Sequence, residues 1–419
     1  MRTQKRSVSL SEDWAVVVLG FITIAAFVFG LNLAAPKFEW SGFPDLLNTV
    51  FNTDNLVNIL LQFAFIYVIV IIGTVLLGKP LKNILTGFPV VYLLSLLAFL
   101  IGGNSSVKVL NMETVIFCLL TGLIIRNFFK IPDWLRESLS SEFFVKIGLV
   151  LLGTSVIFSD ILKAGSLGLI QALAVVLSVW YFSYWLCKRL KVDDELTMML
   201  SSAVSICGVS AAIATSGAIK GDSKKLSLVV SLVLITAVPM MIAMPWIANK
   251  LGLSQEITGA WLGGTIDTTG AVVASGTLVG ETALKISTIV KFSQNVLLGV
   301  AAFAISLYWS YTKRTPGASD VEKPTLKTIW ERFPKFVLGF IAASLLFSFF
   351  ISPDVSNAIK APLKNLQGLW FALAFTSIGL ETHFKDLVGI QNRKPVIAFL
   401  VAQLFNIFIT LIIACFLFG

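Results

Sequence analysis

Charged residues make up only 13% of this 419-residue chain, against 56% hydrophobic. A soluble domain of this length needs a charged surface, and there is too little charge here to build one. Histidine is scarcer still, with His383 the sole example, so a histidine metal cluster or a nucleophile–histidine–acid triad has little to work with. The four cysteines, Cys118, Cys187, Cys207 and Cys415, are scattered and include no Cys-x-x-Cys pair. That spacing excludes a zinc ribbon, a dithiol redox motif and a disulfide framework. No enzyme and no cofactor is expected. Long polar stretches are also missing. The longest, 311–334, reads as a cytoplasmic loop between two membrane halves of a single integral membrane domain, 1–419.

What the chain does have is apolar blocks of about 20 residues, enough for a helix to cross about 30 Å of hydrocarbon. Mean hydropathy is +0.88. Lipid hydrogen-bonds no backbone, so such blocks must be helical, and the expected fold is all-α and polytopic. Candidate spans are 14–34, 56–78, 83–102, 108–127, 143–163, 166–187, 226–248, 286–310, 334–351, 366–385 and 395–418. The basic start, Met1 to Arg6, and the apolar run after it read as an uncleaved first span, since the run is longer than a signal-peptide core. With the N-terminus in the cytoplasm, 21 lysines and arginines fall in inner loops and five in outer loops. This asymmetry predicts an N-in, C-out topology. The net charge of +9 is thereby a topology signal, and no nucleic-acid partner is expected; the partner is the lipid bilayer.

Two further segments are unusual. Residues 201–217 read Ser-Ser-Ala-Val-Ser-Ile-Cys-Gly-Val-Ser-Ala-Ala-Ile-Ala-Thr-Ser-Gly, and 261–276 read Trp-Leu-Gly-Gly-Thr-Ile-Asp-Thr-Thr-Gly-Ala-Val-Val-Ala-Ser-Gly. Small residues allow close backbone approach, and hydroxyls replace hydrogen bonds lost where a helix unwinds. The glycines at 263, 264, 270, 276 and 280 disfavour a continuous helix at about 1 kcal/mol each. Segments 196–218 and 257–278 are either crossing helices with a break or re-entrant hairpins, giving 11 to 13 membrane passages in all. Where two such breaks face each other, free N–H groups and positive helix ends suit an anion, and free carbonyls suit a cation. An internal echo joins Pro132-Asp133 with Thr154-Ser155 and Pro353-Asp354 with Thr376-Ser377 at nearly equal spacing, the pattern of an inverted-topology repeat.

The chemistry-bearing candidates lie in these segments and the span that follows. Ser205, Cys207, Gly208 and Ser210 line the first break. In the second, Asp267 is a carboxylate at membrane depth flanked by Thr268 and Thr269, a costly arrangement and by default a functional one. It serves either as a proton acceptor or as a sodium ligand helped by threonine hydroxyls and bare carbonyls. Lys291 pairs with a buried carboxylate, attracts an anionic substrate, or snorkels to the interface; Ser293, Gln294 and Asn295 share its helix. Arg126 and Asn127 read as a span-end anchor, and Glu381, His383, Lys385 and Asp386 as an interfacial cluster.

Around Ser205-Ile-Cys-Gly-Val-Ser-Ala-Ala-Ile-Ala214 the sequence resembles the YeiH family of bacterial membrane proteins, named for sulfate export. Gly122 to Asn127, Gly148-Leu-Val-Leu-Leu-Gly153, Ile289-Val-Lys291 and Ser377-Ile-Gly-Leu380 also match, in order, over about residues 110–390. The resemblance implies a transporter of the bacterial inner membrane that exports a small anion such as sulfate or a sulfonate. It also implies a fold similar to the cation/proton antiporters and bile-acid symporters, and such folds suggest a homodimer. The sequence departs from the family pattern at two places. Ile266-Asp-Thr-Thr-Gly-Ala271 stands where the family has Ile-His-Glu-Val-Ala-Gln, and Lys291-Phe-Ser-Gln294 lacks the family's arginine at its last position. The expected function is proton- or sodium-coupled secondary transport of a small anion by alternating access. The alternative is a cation/proton antiporter with Asp267 as the ion-binding carboxylate.

Overall fold

The computed structural model describes residues 10–109, 114–312, 330–331, 333–383 and 393–419. Most of the expected loop 311–334, namely 313–329 and 332, lies outside the described residues, together with Lys385 and Asp386. Among the described residues the secondary structure is helical, with one isolated bridge between Trp40 and Asn104. In chain order the longer helices are α1 (Glu12–Val28), α2 (Thr53–Leu76), α3 (Leu81–Gly102), α4 (Thr114–Phe128) and α5 (Ser141–Leu152). There follow α6 (Phe158–Arg189), α7 (Asp194–Ser202), α8 (Val209–Ile219), α9 (Ser223–Lys250) and α10 (Gln255–Thr265). The last are α11 (Thr269–Val279), α12 (Glu281–Thr312), α13 (Lys335–Leu345), α14 (Pro353–Glu381) and α15 (Arg393–Phe418). Among the described residues, seven helices are long and apolar enough to cross a membrane: α2, α3, the Asp133–Ser155 stretch containing α5, α6, α9, α12 and α15. The protein is a polytopic membrane protein.

The chain divides into two compact units, each drawn from separated parts of the sequence. The first comprises Met1–Phe158 and Lys335–His383. Its helices approach backbone to backbone where side chains vanish. A Cβ on Gly122 of α4 would lie 2.4 Å from the Thr376 carbonyl of α14, and one on Gly379 would lie 2.4 Å from the Leu119 carbonyl. Close approach of this kind replaces the hydrophobic drive that lipid removes. Buried hydroxyls of Ser95 and Thr376 meet at 2.9 Å. At the start of α1, Glu12 and Asp13 hold Lys146 of α5 at 2.8 and 3.0 Å, with Glu142 at 3.4 Å.

Several expected span boundaries shift; the first span, read as 14–34, ends at Val28, and others move further. The span read as 143–163 stops at Ser155, where Gly153–Ser155 tightens into a 3₁₀ turn and Val156 is extended. Side chains of α13 and the turn after it hold the break open: Ser344 donates to the Val156 carbonyl and Ser348 accepts from the Phe158 N–H. The next span then starts at Phe158 and runs 32 residues without interruption. The span read as 366–385 starts at Pro353, whose fixed φ suits a first helical position. Thr154-Ser155 therefore ends a helix while Thr376-Ser377 lies inside an unbroken one, so the two echo segments do not share a local structure.

The second unit comprises Ser159–Pro334 and Phe384–Gly419, and here both unusual segments turn back on themselves. The Glu195 carboxylate accepts the Asp222 N–H at 3.1 Å across 27 residues, and Lys225 joins Asp193 and Glu195 at 2.7 and 3.1 Å. A continuous helix would separate Glu195 from Asp222 by about 40 Å. Hairpin 1 is thus α7, a π-helical turn at Ala203–Cys207, Gly208 and α8. Likewise the Gln255 side chain packs on Gly280, 2.7 Å from where a Cβ would sit, which closes α10 and α11 into hairpin 2. Each 11-residue arm of hairpin 2 reaches about 16 Å, half the hydrocarbon thickness. Of the two alternatives open in the sequence, both segments are helical hairpins.

The hairpins enter from opposite ends of the unit. The first half of α15, at Ala398, Phe399 and Ala402, packs with Leu196, Met199 and Leu200 of hairpin 1. Its second half receives the Trp261 indole N–H of hairpin 2 at the Ile407 carbonyl, 2.8 Å away. Hairpin 2 is free to lie flat on α12 because Gly259 and Gly263 have no side chains. A Cβ there would stand 2.8 Å from the Ala283 carbonyl and 2.4 Å from the Ser287 carbonyl respectively. Gly263, one of the glycines expected to break the helix, therefore serves packing, while Gly280 does end α11 with a φ of 148°; the break between α10 and α11 falls at Ile266, which is extended.

A chain carrying Glu195→Cys, Asp222→Cys and Cys415→Ser is expected to cross-link intramolecularly with a short bifunctional thiol reagent, read as a protease-resistant linkage between the two halves of hairpin 1. Absence of the link with both thiols reactive would show that the segment crosses instead.

Candidate functional site

The site is built where the two hairpin tips meet. Hairpin 1 turns at Gly208, whose φ of 58° and ψ of −111° suit glycine alone. A Cβ there would lie 3.0 Å from Asp267 Cβ at the tip of hairpin 2 and 2.6 Å from Val233 on α9. Each tip leaves backbone groups without helical partners, and where they go decides the chemistry.

The carbonyls are capped by side chains from the neighbouring spans. Lys291 of α12, 1% exposed, donates to the Ile206 carbonyl of hairpin 1 and the Ile266 carbonyl of hairpin 2, both at 2.8 Å. Its third hydrogen bond goes to Gln294 Oε1 at 3.0 Å, and an ammonium has only three to give. Gln294 in turn donates to the Gly264 carbonyl at 2.9 Å. From α15, Asn406 donates to Val204 at 3.0 Å and Thr265 at 3.2 Å, and Gln403 donates to Thr265 at 3.1 Å. Thr410 fixes the Asn406 amide by donating to its oxygen at 2.8 Å. The C-terminal ends of α7 and α10, each carrying about half a negative charge, thus converge on one buried cation.

The opposite halves of the hairpins present helix N-termini. α8 begins with Val209 and Ser210, and Ser210 is exposed. α11 is capped by Thr268, whose hydroxyl accepts from the Ala271 N–H at 3.4 Å. The next residue, Thr269, takes the Asn295 amide on its hydroxyl at 3.4 Å, and Thr268, Thr269 and Gly270 are partly exposed. Between these ends lies Asp267, 1% exposed, with Oδ2 buried and unbonded. No ion pair shorter than 4.0 Å joins it to Lys291. One side of the tips is therefore a sealed carbonyl clamp. The other offers two positive helix ends, hydroxyls and a carboxylate.

Of the residues singled out in the sequence, Gly208, Asp267, Thr268, Thr269, Lys291 and Gln294 gather at the tips, with Cys207 beside Gly208 and Ser210 at the start of α8. Ser205 points back into its own arm, donating to the Ser201 carbonyl at 2.7 Å. Ser293 donates to the Ile289 carbonyl at 3.1 Å and faces Gly168 on α6. In the first unit Asn127 donates to the Thr382 carbonyl at 3.2 Å, and Glu381 accepts from the Ser141 hydroxyl at 2.6 Å at the start of α5. Sequence reasoning missed Gln403 and Asn406. The signal was present: two amides three residues apart on one face of an otherwise apolar span.

The family described as "Conserved hypothetical protein 698" matches residues 86–399, which include both hairpins. The chain belongs to this family. A UPF0324 membrane protein of Rhodopirellula baltica is 42% identical over 331 residues, covering 77% of this chain and 60% of the relative. One of Nitratidesulfovibrio vulgaris is 38% identical over 336 residues, covering 77% and 57%. Another, of Nitrosomonas europaea, is 32% identical over 310 residues, covering 65% and 62%. The chain thus spans somewhat under two thirds of the length of these relatives. No solved structure matches it. Membership of this YeiH-like, UPF0324 family agrees with the Ser205-Ile-Cys-Gly-Val-Ser-Ala signature, which forms the tip of hairpin 1.

For this family member, Asn406→Leu keeps the volume and deletes the donors to two buried carbonyls. Stability is expected to fall by about 1–3 kcal/mol, read as a lower melting temperature of the purified protein in detergent.

Proposed function

We propose that the protein is a secondary transporter of a small anion such as sulfate or a sulfonate, working by alternating access and coupled to a proton or sodium through Asp267. The observation that carries the reading is the meeting of two opposed helix N-termini, α8 and α11, at hairpin tips about half a bilayer deep. Two half-charges there amount to roughly one positive charge, and N–H groups freed at a helix start are ready-made anion ligands. Ser210, Thr268 and Thr269 add hydroxyls at these helix starts. Lys291 is not the anion ligand in this reading, because its three donors are taken. Its work is to tie the tips.

A carboxylate beside an anion site repels the substrate unless a cation neutralises it. That makes Asp267 a coupling group, binding its ion with or against the substrate. The same residue supports the second reading, a cation/proton antiporter that carries no anion; what favours it is the buried, unbonded Oδ2. The base of hairpin 1 gathers Lys188, Arg189, Lys191, Lys220, Lys224 and Lys225. By the positive-inside rule it faces the cytoplasm of a bacterial inner membrane, which gives N-in and C-out.

The test is thermal shift of the purified protein against sulfate, sulfite, thiosulfate, taurine, sulfoacetate and small carboxylates. A true ligand raises the melting temperature with concentration, by about 2.7 kcal/mol of stability at a hundred times its Kd. At least one oxyanion is expected to do so, and Asp267→Asn is expected to abolish coupled uptake in proteoliposomes while the protein still folds. Flat responses across the panel with an Asp267-dependent cation flux would decide for the antiporter.

A further inference from the structure

Three side-chain oxygens around the tip of hairpin 2 are buried and accept no hydrogen bond: Asp267 Oδ2, Thr265 Oγ1 and Gln403 Oε1. Their residues are 1%, 1% and 4% exposed. The Gln403 orientation is forced. Its Nε2 donates to the Thr265 carbonyl, which can only accept, so its oxygen must point elsewhere. The Asn295 oxygen is also unbonded, but its amide meets a hydroxyl that serves either orientation, so it is set aside. Thr265 and Asp267 are two residues apart on one tip, and Gln403 is hydrogen-bonded to that tip. A buried acceptor without a donor is costly, more so when charged, and one ligand shared by the three would relieve them together.

The local charges state what that partner is. Lys291 is engaged by carbonyls at two helix C-termini, whose half-charges together balance its single positive charge. It attracts Asp267 across the tip, but with all three donors taken it offers no ligand to Oδ2. With Lys291 and the positive ends of α8 and α11 already near Asp267, a divalent ion would leave an excess of charge in a medium of low dielectric, and a monovalent one adds the least. A proton neutralises Asp267 but bridges at most two oxygens. A small hard cation is satisfied by several oxygens at once, and carboxylate, hydroxyl and amide oxygens are the ligands it prefers.

We propose that the tip of hairpin 2 binds a sodium ion, with Asp267 Oδ2 as the charged ligand and Thr265 Oγ1 and Gln403 Oε1 beside it. The proposal rests on the coupling role of Asp267 and names its ion; it does not need the anion assignment. It places sodium on the tip that meets Gly208, so occupancy fixes the relative position of α8 and α11, the two ends proposed to hold the anion.

The experiment is a melting-temperature titration of the purified wild-type protein with sodium chloride, choline chloride holding ionic strength constant and no oxyanion present. The wild type is expected to rise saturably by several degrees with sodium and to stay flat with choline. Asp267→Asn is expected to lose the response, and Gln403→Leu to need at least tenfold more sodium for the same shift from its own sodium-free baseline. Should Asp267→Asn not purify, Thr265→Val in the same titration gives the tenfold shift instead. Equal effects of sodium and choline would overturn the proposal. So would an unchanged sodium response in these variants, or a wild-type melting temperature that follows pH and ignores sodium. A sodium response without any response in the oxyanion panel would leave this site standing and remove the anion; the reverse result would do the opposite.

Discussion

A single ammonium group joins the two halves of the candidate site. Lys291 sits in the membrane interior, where an unpaired positive charge is among the most expensive things a protein can bury. It is affordable here because two helices end on it. The arms α7 and α10 stop at the same depth from opposite ends, and each leaves carbonyls that no helix satisfies. Hydrogen bonds to a charged donor are each worth about 1.5–3 kcal/mol, and Lys291 makes one to each tip and a third to the Gln294 amide that caps Gly264. Without the lysine the tips would present like partial charges to each other. With it they are held together, and the irregular backbone that lipid could not tolerate becomes the centre of the unit.

That clamp sorts the remaining groups by sign. Carbonyls face Lys291, Gln294, Gln403 and Asn406, so the N–H ends of α8 and α11 face the other way. Asp267 lies between the two sides, next to Gly208, with an oxygen that nothing in the protein satisfies. Opposed entry of the hairpins means that the site is reached from neither end along a continuous helix. α15 is the ruler for this arrangement: it meets hairpin 1 at Phe399, both tips at Asn406 and hairpin 2 at Ile407.

Membrane residence, helical class and the two special segments were legible in the sequence because they follow from local chemistry: apolar block length, small-residue runs and a carboxylate at depth. Hairpins could not be told from broken crossings, since both keep the same parity of spans. The deciding contacts, Glu195 with Asp222 and Gln255 with Gly280, join residues far apart in the chain. Of the glycines expected to break the helix, Gly280 does so at the end of α11, whereas Gly263, like its neighbour Gly259, acts by letting α12 approach, a property of the partner helix. Lys291 was left between three roles, because nothing local says that two carbonyls from different hairpins will surround it. Gln403 and Asn406 were passed over as ordinary polar residues in a span, although an amide pair on one face at that depth needed a buried acceptor to explain it.

The central claim is that Lys291 holds the tips and does not bind the substrate. Lys291→Met tests it most directly, with the unliganded melting temperature and the oxyanion affinity measured on the same preparation. The account predicts a melting temperature lowered by many degrees, with any remaining folded protein binding the oxyanion within a few-fold of wild type once the linked stability is allowed for. An unliganded melting temperature equal to wild type, with oxyanion binding lost, would contradict it and make Lys291 a substrate ligand.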